Sequence, residues 1–82
     1  MKLSDLVKGL EILRPYYKNN DGYVIGAEHD TFYACATERP LSNEDIQKMI
    51  ECGWHQEFDG RDYSTDFTAK DYRPDESWIA YT

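Results

Sequence analysis

Two histidines, two cysteines and a run of aspartates are the residues of this chain whose types and spacing suit chemistry. Glu28-His29-Asp30 and His55-Gln56-Glu57 together hold two imidazoles and three carboxylates. A two-histidine, one-carboxylate metal site would require the triplets to meet. His55 and Glu57 share a face if their segment is a strand. Spacing argues the other way: there is no Cys-x-x-Cys and no His-Glu-x-x-His. His29-Asp30 is also ordinary turn chemistry. No metal and no other cofactor is expected.

Cys35 beside an imidazole would make a nucleophilic thiolate. Its place between Ala34 and Ala36 in a strand-like run predicts a buried, inert thiol instead. Cys52 precedes Gly53 at the negative end of a predicted helix, which raises a thiol's pKa. Two reduced, partly buried thiols are the expectation, with one disulfide between them as the alternative. The five glycines are scattered and form no phosphate-cradling loop. A chain this short also leaves little room for a substrate pocket of ~300 Å³. The protein is therefore read as non-enzymatic.

Surface recognition remains. From Asp59 to Glu76 the chain interleaves acids with Tyr63, Phe67 and Tyr72. Carboxylates can stand in for phosphates, and aromatics supply contact area. The predicted partner-binding residues are Asp62, Asp66, Asp71, Tyr72 and Asp75, with Glu28 and Asp30 as a second patch. The alternative is that the aromatics pack inward and the acids only solvate a loop.

Composition frames these choices. The chain has 82 residues, 16 acids against 9 bases and a net charge of -7, so one domain is expected over residues 1–82. The acidic balance argues against direct binding of nucleic acid and of anionic lipid. No apolar run approaches the ~20 residues of a membrane span, and the N-terminal residues lack the apolar core of a signal peptide. A soluble, cytoplasmic protein is expected. Residues 1–20 carry +2 and the remainder -9, which suggests two electrostatic faces. So short a chain buries only ~60% of its unfolded surface. Seven Tyr, three Phe and two Trp are the expected compensation.

The elements that must position these residues can be read in order. Ser4 as N-cap and Asp5 behind it predict a first helix. Leu3, Leu6, Val7, Leu10 and Leu13 form its apolar stripe. Pro15 should end it near Leu13 or Arg14, with Tyr16 and Tyr17 folding back on the core. Alternation over 23–28 and 31–36 predicts a hairpin turning at His29-Asp30. Ser42 caps a second helix running to about Cys52, with Asp45 as a capping-box partner and Leu41–Ile46 as a staple. Gly53 ends it, and Trp54 packs back on Met49. Residues 54–58 read as a strand with Trp54, Gln56 and Phe58 on one side. Asp59-Gly60 reads as a turn, 63–76 as mainly a long loop, and 77–81 as a last buried strand. The order α-β-β-α-β-β makes an α+β domain, an antiparallel sheet covered by two helices.

Ala27-Glu28-His29-Asp30, Leu41-Ser42-x-Glu44-Asp45, Cys52-Gly53-Trp54-His55 and Ser77-Trp78 resemble a group of small uncharacterised proteins of tailed phages and prophages. The resemblance spans most of the chain and brings no catalytic residues with it. It implies a phage accessory protein in a bacterial cytoplasm. Small acidic phage proteins of the anti-CRISPR, anti-restriction and DNA-mimic kind bind and inhibit a host enzyme. The expected partner is thus a host protein with a basic nucleic-acid-binding surface. The protein itself is expected to be a monomer or homodimer. Two other readings stand beside this one. One is a homodimeric assembly module with an exposed apolar face, for example Tyr16, Tyr17 and Tyr81. The other is a metal-binding enzyme or sensor using His29 and His55.

Overall fold

The computed structural model describes residues 1–17, 25–28, 30–58 and 66–81, without the Glu28 side chain. Two helices, α1 (Leu3–Leu13) and α2 (Asn43–Glu51), accompany three antiparallel strands, β1 (Ile25–Glu28), β2 (Thr31–Ala34) and β3 (Trp78–Tyr81). This is an α+β fold. The sheet order is β1-β2-β3, with β2 central. Short 3-10 turns cover Arg14–Tyr16 and Ala69–Asp71. Among the described residues, no helix is long and apolar enough to cross a membrane.

Helix α1 starts two residues earlier than its sequence suggests. Lys2 is the N-cap, and its carbonyl takes the Asp5 and Leu6 N–H groups, both at 3.1 Å. Ser4 therefore sits inside the first turn and caps nothing. Asp5 lies in that turn, where its charge suits the helix dipole. The buried face is also rotated from the expected stripe. Gly9 and Leu13 are buried and Leu6 and Leu10 pack against the core, whereas Leu3 is 75% exposed and Val7 43%. The cause is Gly9. A methyl group there would overlap the Trp54 indole, so the bare backbone lets that ring lie on the helix. The helix ends at Leu13, before Pro15. Tyr16 and Tyr17 turn back into the core.

The hairpin pairs Ile25 with Ala34 and Glu28 with Thr31, leaving two residues for its turn. Pairing of Phe32 with Ala80 and of Ala34 with Trp78 puts these four on one face. Ala34, Trp78 and Ala80 are buried there, and Phe32 packs against them.

Helix α2 follows its local signals closely. Ser42 Oγ accepts the Asp45 N–H at 3.2 Å. The reciprocal half of the capping box is filled from elsewhere in the chain. The Tyr16 hydroxyl accepts the Ser42 N–H at 3.2 Å and donates to Asp45 Oδ2 at 2.5 Å. A tyrosine from the end of α1 thus completes the cap of α2. Leu41 and Ile46 are both buried. At the far end Gly53 N–H bonds Ile50 O and Trp54 N–H bonds Met49 O. With Gly53 at φ +89°, this is a Schellman cap.

The strand expected over 54–58 is reduced to isolated bridge residues, His55 and Phe58, and His55 and Ile79 exchange both backbone hydrogen bonds. The alternation survives: Trp54 and Gln56 are buried and Phe58 packs on the core. The order of named elements is therefore α-β-β-α-β among the described residues. The Asp59-Gly60 turn falls outside them.

Candidate functional site

Residues 66–76 fold as a pinned segment. Thr68 and Asp71 form a reciprocal capping box over the 3-10 turn. Asp71 Oδ2 accepts from Thr68 N at 2.9 Å and from its hydroxyl at 3.0 Å. Phe67 is buried edge-on to Trp78, with ring centroids 5.7 Å apart. Tyr72 stacks on the same indole, and its hydroxyl accepts the Leu41 N–H at 3.0 Å. Gln56, fully buried, clamps the segment from below. Its amide donates to the carbonyls of Arg73 and Glu76 and accepts the Arg73 N–H. Arg73 lies 3.9 Å over the Phe58 ring.

These contacts place the predicted partner-binding residues. Asp66 and Asp75 are exposed, as is Asp30 on the hairpin. Asp71 is half-buried, with its carboxylate engaged in the cap. Tyr72 faces the core through its ring. Asp62, His29 and the Glu28 side chain lie outside the described residues. The aromatics of the described segment thus pack inward, and its exposed aspartates face outward. The example of a dimer face built on Tyr16, Tyr17 and Tyr81 does not hold, because Tyr16 and Tyr17 are core residues. The exposed apolar side chains near the start of the chain are Met1, Leu3 and Val7.

The histidine chemistry assembles at the other end of the sheet. Bridging places His55, Ile79 and Tyr33 in one row on the face opposite Trp78. His55 is 2% exposed. Its Nε2 lies 2.8 Å from Glu57 Oε2, which also accepts the Tyr81 hydroxyl. Tyr81 stands edge-on over the imidazole, centroids 4.9 Å apart. The alternation of His55 and Glu57 foretold their shared face. Nothing local foretold Tyr81, which arrives from β3.

An open cleft of about 340 Å³ lies beside this cluster. It is lined by Met1 and Asp5 at the start of α1, Glu51, Cys52 and Gly53 at the end of α2, and His55 and Tyr81. The chain therefore does form a cavity of ligand size, contrary to the expectation from length. Two helix ends meeting over a short sheet leave the gap. No group of three or more His, Cys, Asp or Glu among the described residues is close enough to hold a metal ion.

Of the two cysteines, Cys52 keeps its expected setting and Cys35 departs from it. Cys35 is exposed, one residue beyond the end of β2, where the strand no longer shields it. Cys52 is buried, and burial pushes its thiol pKa up, with Asp5 and Glu51 adding to this and Lys8 opposing it. Both thiols are free. Tyr17 donates to Cys35 O at 2.5 Å, and burial pushes its phenol pKa up to about 12.

In comparisons with protein-family models, curated proteins and solved structures, nothing matches this chain.

Proposed function

We propose that this chain is a non-enzymatic interaction protein that presents an acidic surface to a basic partner. In the reading suggested by its sequence resemblance, the partner is a nucleic-acid-handling protein of a bacterial host, and binding inhibits it. The observation that carries this reading is the pinned segment over 66–76. Its aromatics are spent on the core, while Asp66 and Asp75 are held on an ordered backbone facing solvent. A negative surface that is already ordered loses little entropy on binding. It also steers a basic partner into encounter. The net charge of -7 supports the same reading.

The test is capture from a bacterial lysate at low salt, followed by elution with duplex DNA. Proteins released by DNA, and not retained by the triple variant Asp30→Lys, Asp66→Lys, Asp75→Lys, support the proposal. Equal capture by the variant, with its circular dichroism unchanged, would sink it. Asp71 is left intact because its carboxylate caps a turn.

A second reading, the homodimeric module, draws on the exposed Met1, Leu3 and Val7. A dimer by light scattering that persists in high salt and dissolves in Leu3→Ser, Val7→Ser would favour it.

A further inference from the structure

We infer that the cleft between α1, α2 and Tyr81 is a binding site for a small organic cation bearing a primary ammonium or guanidinium group. The inference does not depend on the acidic-surface reading, whose residues lie elsewhere. It rests first on the hydrogen-bond polarity of His55. Glu57 Oε2 is a shared acceptor for the Tyr81 hydroxyl and His55 Nε2. Nε2 must then carry the proton, and in the uncharged ring Nδ1 becomes an acceptor. Nδ1 has no hydrogen-bond partner among the described residues, yet it is not among the sealed, unpartnered polar atoms. It therefore keeps some exposure, and the ring lines the cleft. A side chain only 3% exposed thus keeps an open lone pair beside a cavity, and a lone pair calls for a donor.

Two acidic side chains of the lining favour the same ligand, while Met1, which bears the terminal ammonium, sits at the same cleft and would have to turn that group away. Asp5 and Glu51 supply carboxylates. Helix α2 ends there with its negative pole, and Asp5 in the first turn offsets the positive pole of α1. Tyr81 is 40% exposed and offers a ring for cation–π contact. Lys8 is near enough to act on the Cys52 thiol but does not line the cleft. No three His, Cys, Asp or Glu among the described residues form a group that could hold a metal ion. The acceptors suit a polyatomic cation that spreads its N–H groups. A cleft of about 340 Å³ takes an alkylammonium or alkylguanidinium chain. Such a group comes free, as in a polyamine or agmatine, or on an arginine or lysine side chain of another protein.

The experiment is an amide and side-chain NMR titration of the full chain into the millimolar range. The probes are agmatine, butylammonium, the neutral analogue butanol, and a blocked Gly-Arg-Gly peptide. Agmatine and butylammonium should shift the resonances of Gly53, His55 and Tyr81, and butanol should not. Glu51→Gln, a surface change that leaves the fold intact, should weaken agmatine about fivefold, and added salt should weaken it further. Tyr81→Leu should weaken it with a retained circular dichroism spectrum. Comparable shifts from the blocked peptide would assign the source to a protein side chain, and shifts from agmatine alone to a free cation. No response at these three residues, or an equal response to butanol, overturns the inference. So does an affinity unchanged in Glu51→Gln.

Discussion

Two thiols and one phenol carry the sharpest expectations at the scale of single residues. Cys35 is exposed and Cys52 buried with a raised pKa, so their reactivities should separate. With a disulfide-exchange reagent at about pH 8, one thiol should react quickly and the second only on unfolding. Cys35→Ser should abolish the fast phase, and its persistence would contradict the placement. Tyr17 offers a pH probe. Its folded pKa is raised to about 12 from an ordinary 10.0, because burial disfavours the phenolate. The folded state thus holds this proton more tightly than the unfolded one. Its contribution to stability is complete below about pH 10 and is lost as pH rises toward about 12. The thermal midpoint should fall across that window, and Tyr17→Phe should flatten the fall. Cys35 was expected to be buried because its alanine neighbours look like strand. The strand ends at Ala34, and ladder length is a property of the partner strand as much as of the sequence.

At the scale of elements, glycine at position 9 decides how α1 seats. The hydropathy period of α1 was legible, but its phase was not, since the Leu3 and Val7 half of the stripe faces outward. The missing Gly9 side chain admits the Trp54 indole, whose Nε1 is buried without a partner among the described residues. Alanine is the better helix former by ~1 kcal/mol. Gly9→Ala should nonetheless lose about 2 kcal/mol net, because overpacking the indole outweighs that gain. Urea denaturation measures this, and a stability equal to the parent would refute the packing argument. Helix α2 was readable at both ends because caps are local chemistry. What sequence spacing missed was Tyr16, which inserts its hydroxyl between Ser42 and Asp45 from 26 and 29 residues away.

At the scale of the whole molecule, a buried glutamine joins the acidic segment to the core. Gln56 makes three hydrogen bonds to the backbone of Arg73 and Glu76. Gln56→Ala removes all three, leaving the Arg73 carbonyl only its bond from the Glu76 N–H, at a cost of about 3 kcal/mol. Hydrogen exchange at Arg73 should quicken along with that loss. Protection unchanged at Arg73 would mean that the Phe67–Trp78–Tyr72 stack alone holds the segment. Charge acts at this scale too. The -7 total was plain from composition, but composition could not say which acids face solvent and which, like Asp71, hold a turn.

The sequence by itself determined the presence of both helices, the hairpin, the last strand, and the acidic balance. Each depends on neighbours within a few positions, through periodicity, caps and turn residues. Only the tertiary structure decided that 66–76 is clamped, that His55 and Glu57 meet Tyr81, and that a cleft opens between two helix ends. Those facts depend on residues distant in the chain, such as Gln56 and Arg73, 17 positions apart, and Glu57 and Tyr81, 24 apart. Local propensity has no bearing on which distant side chain arrives to accept a proton or fill a gap.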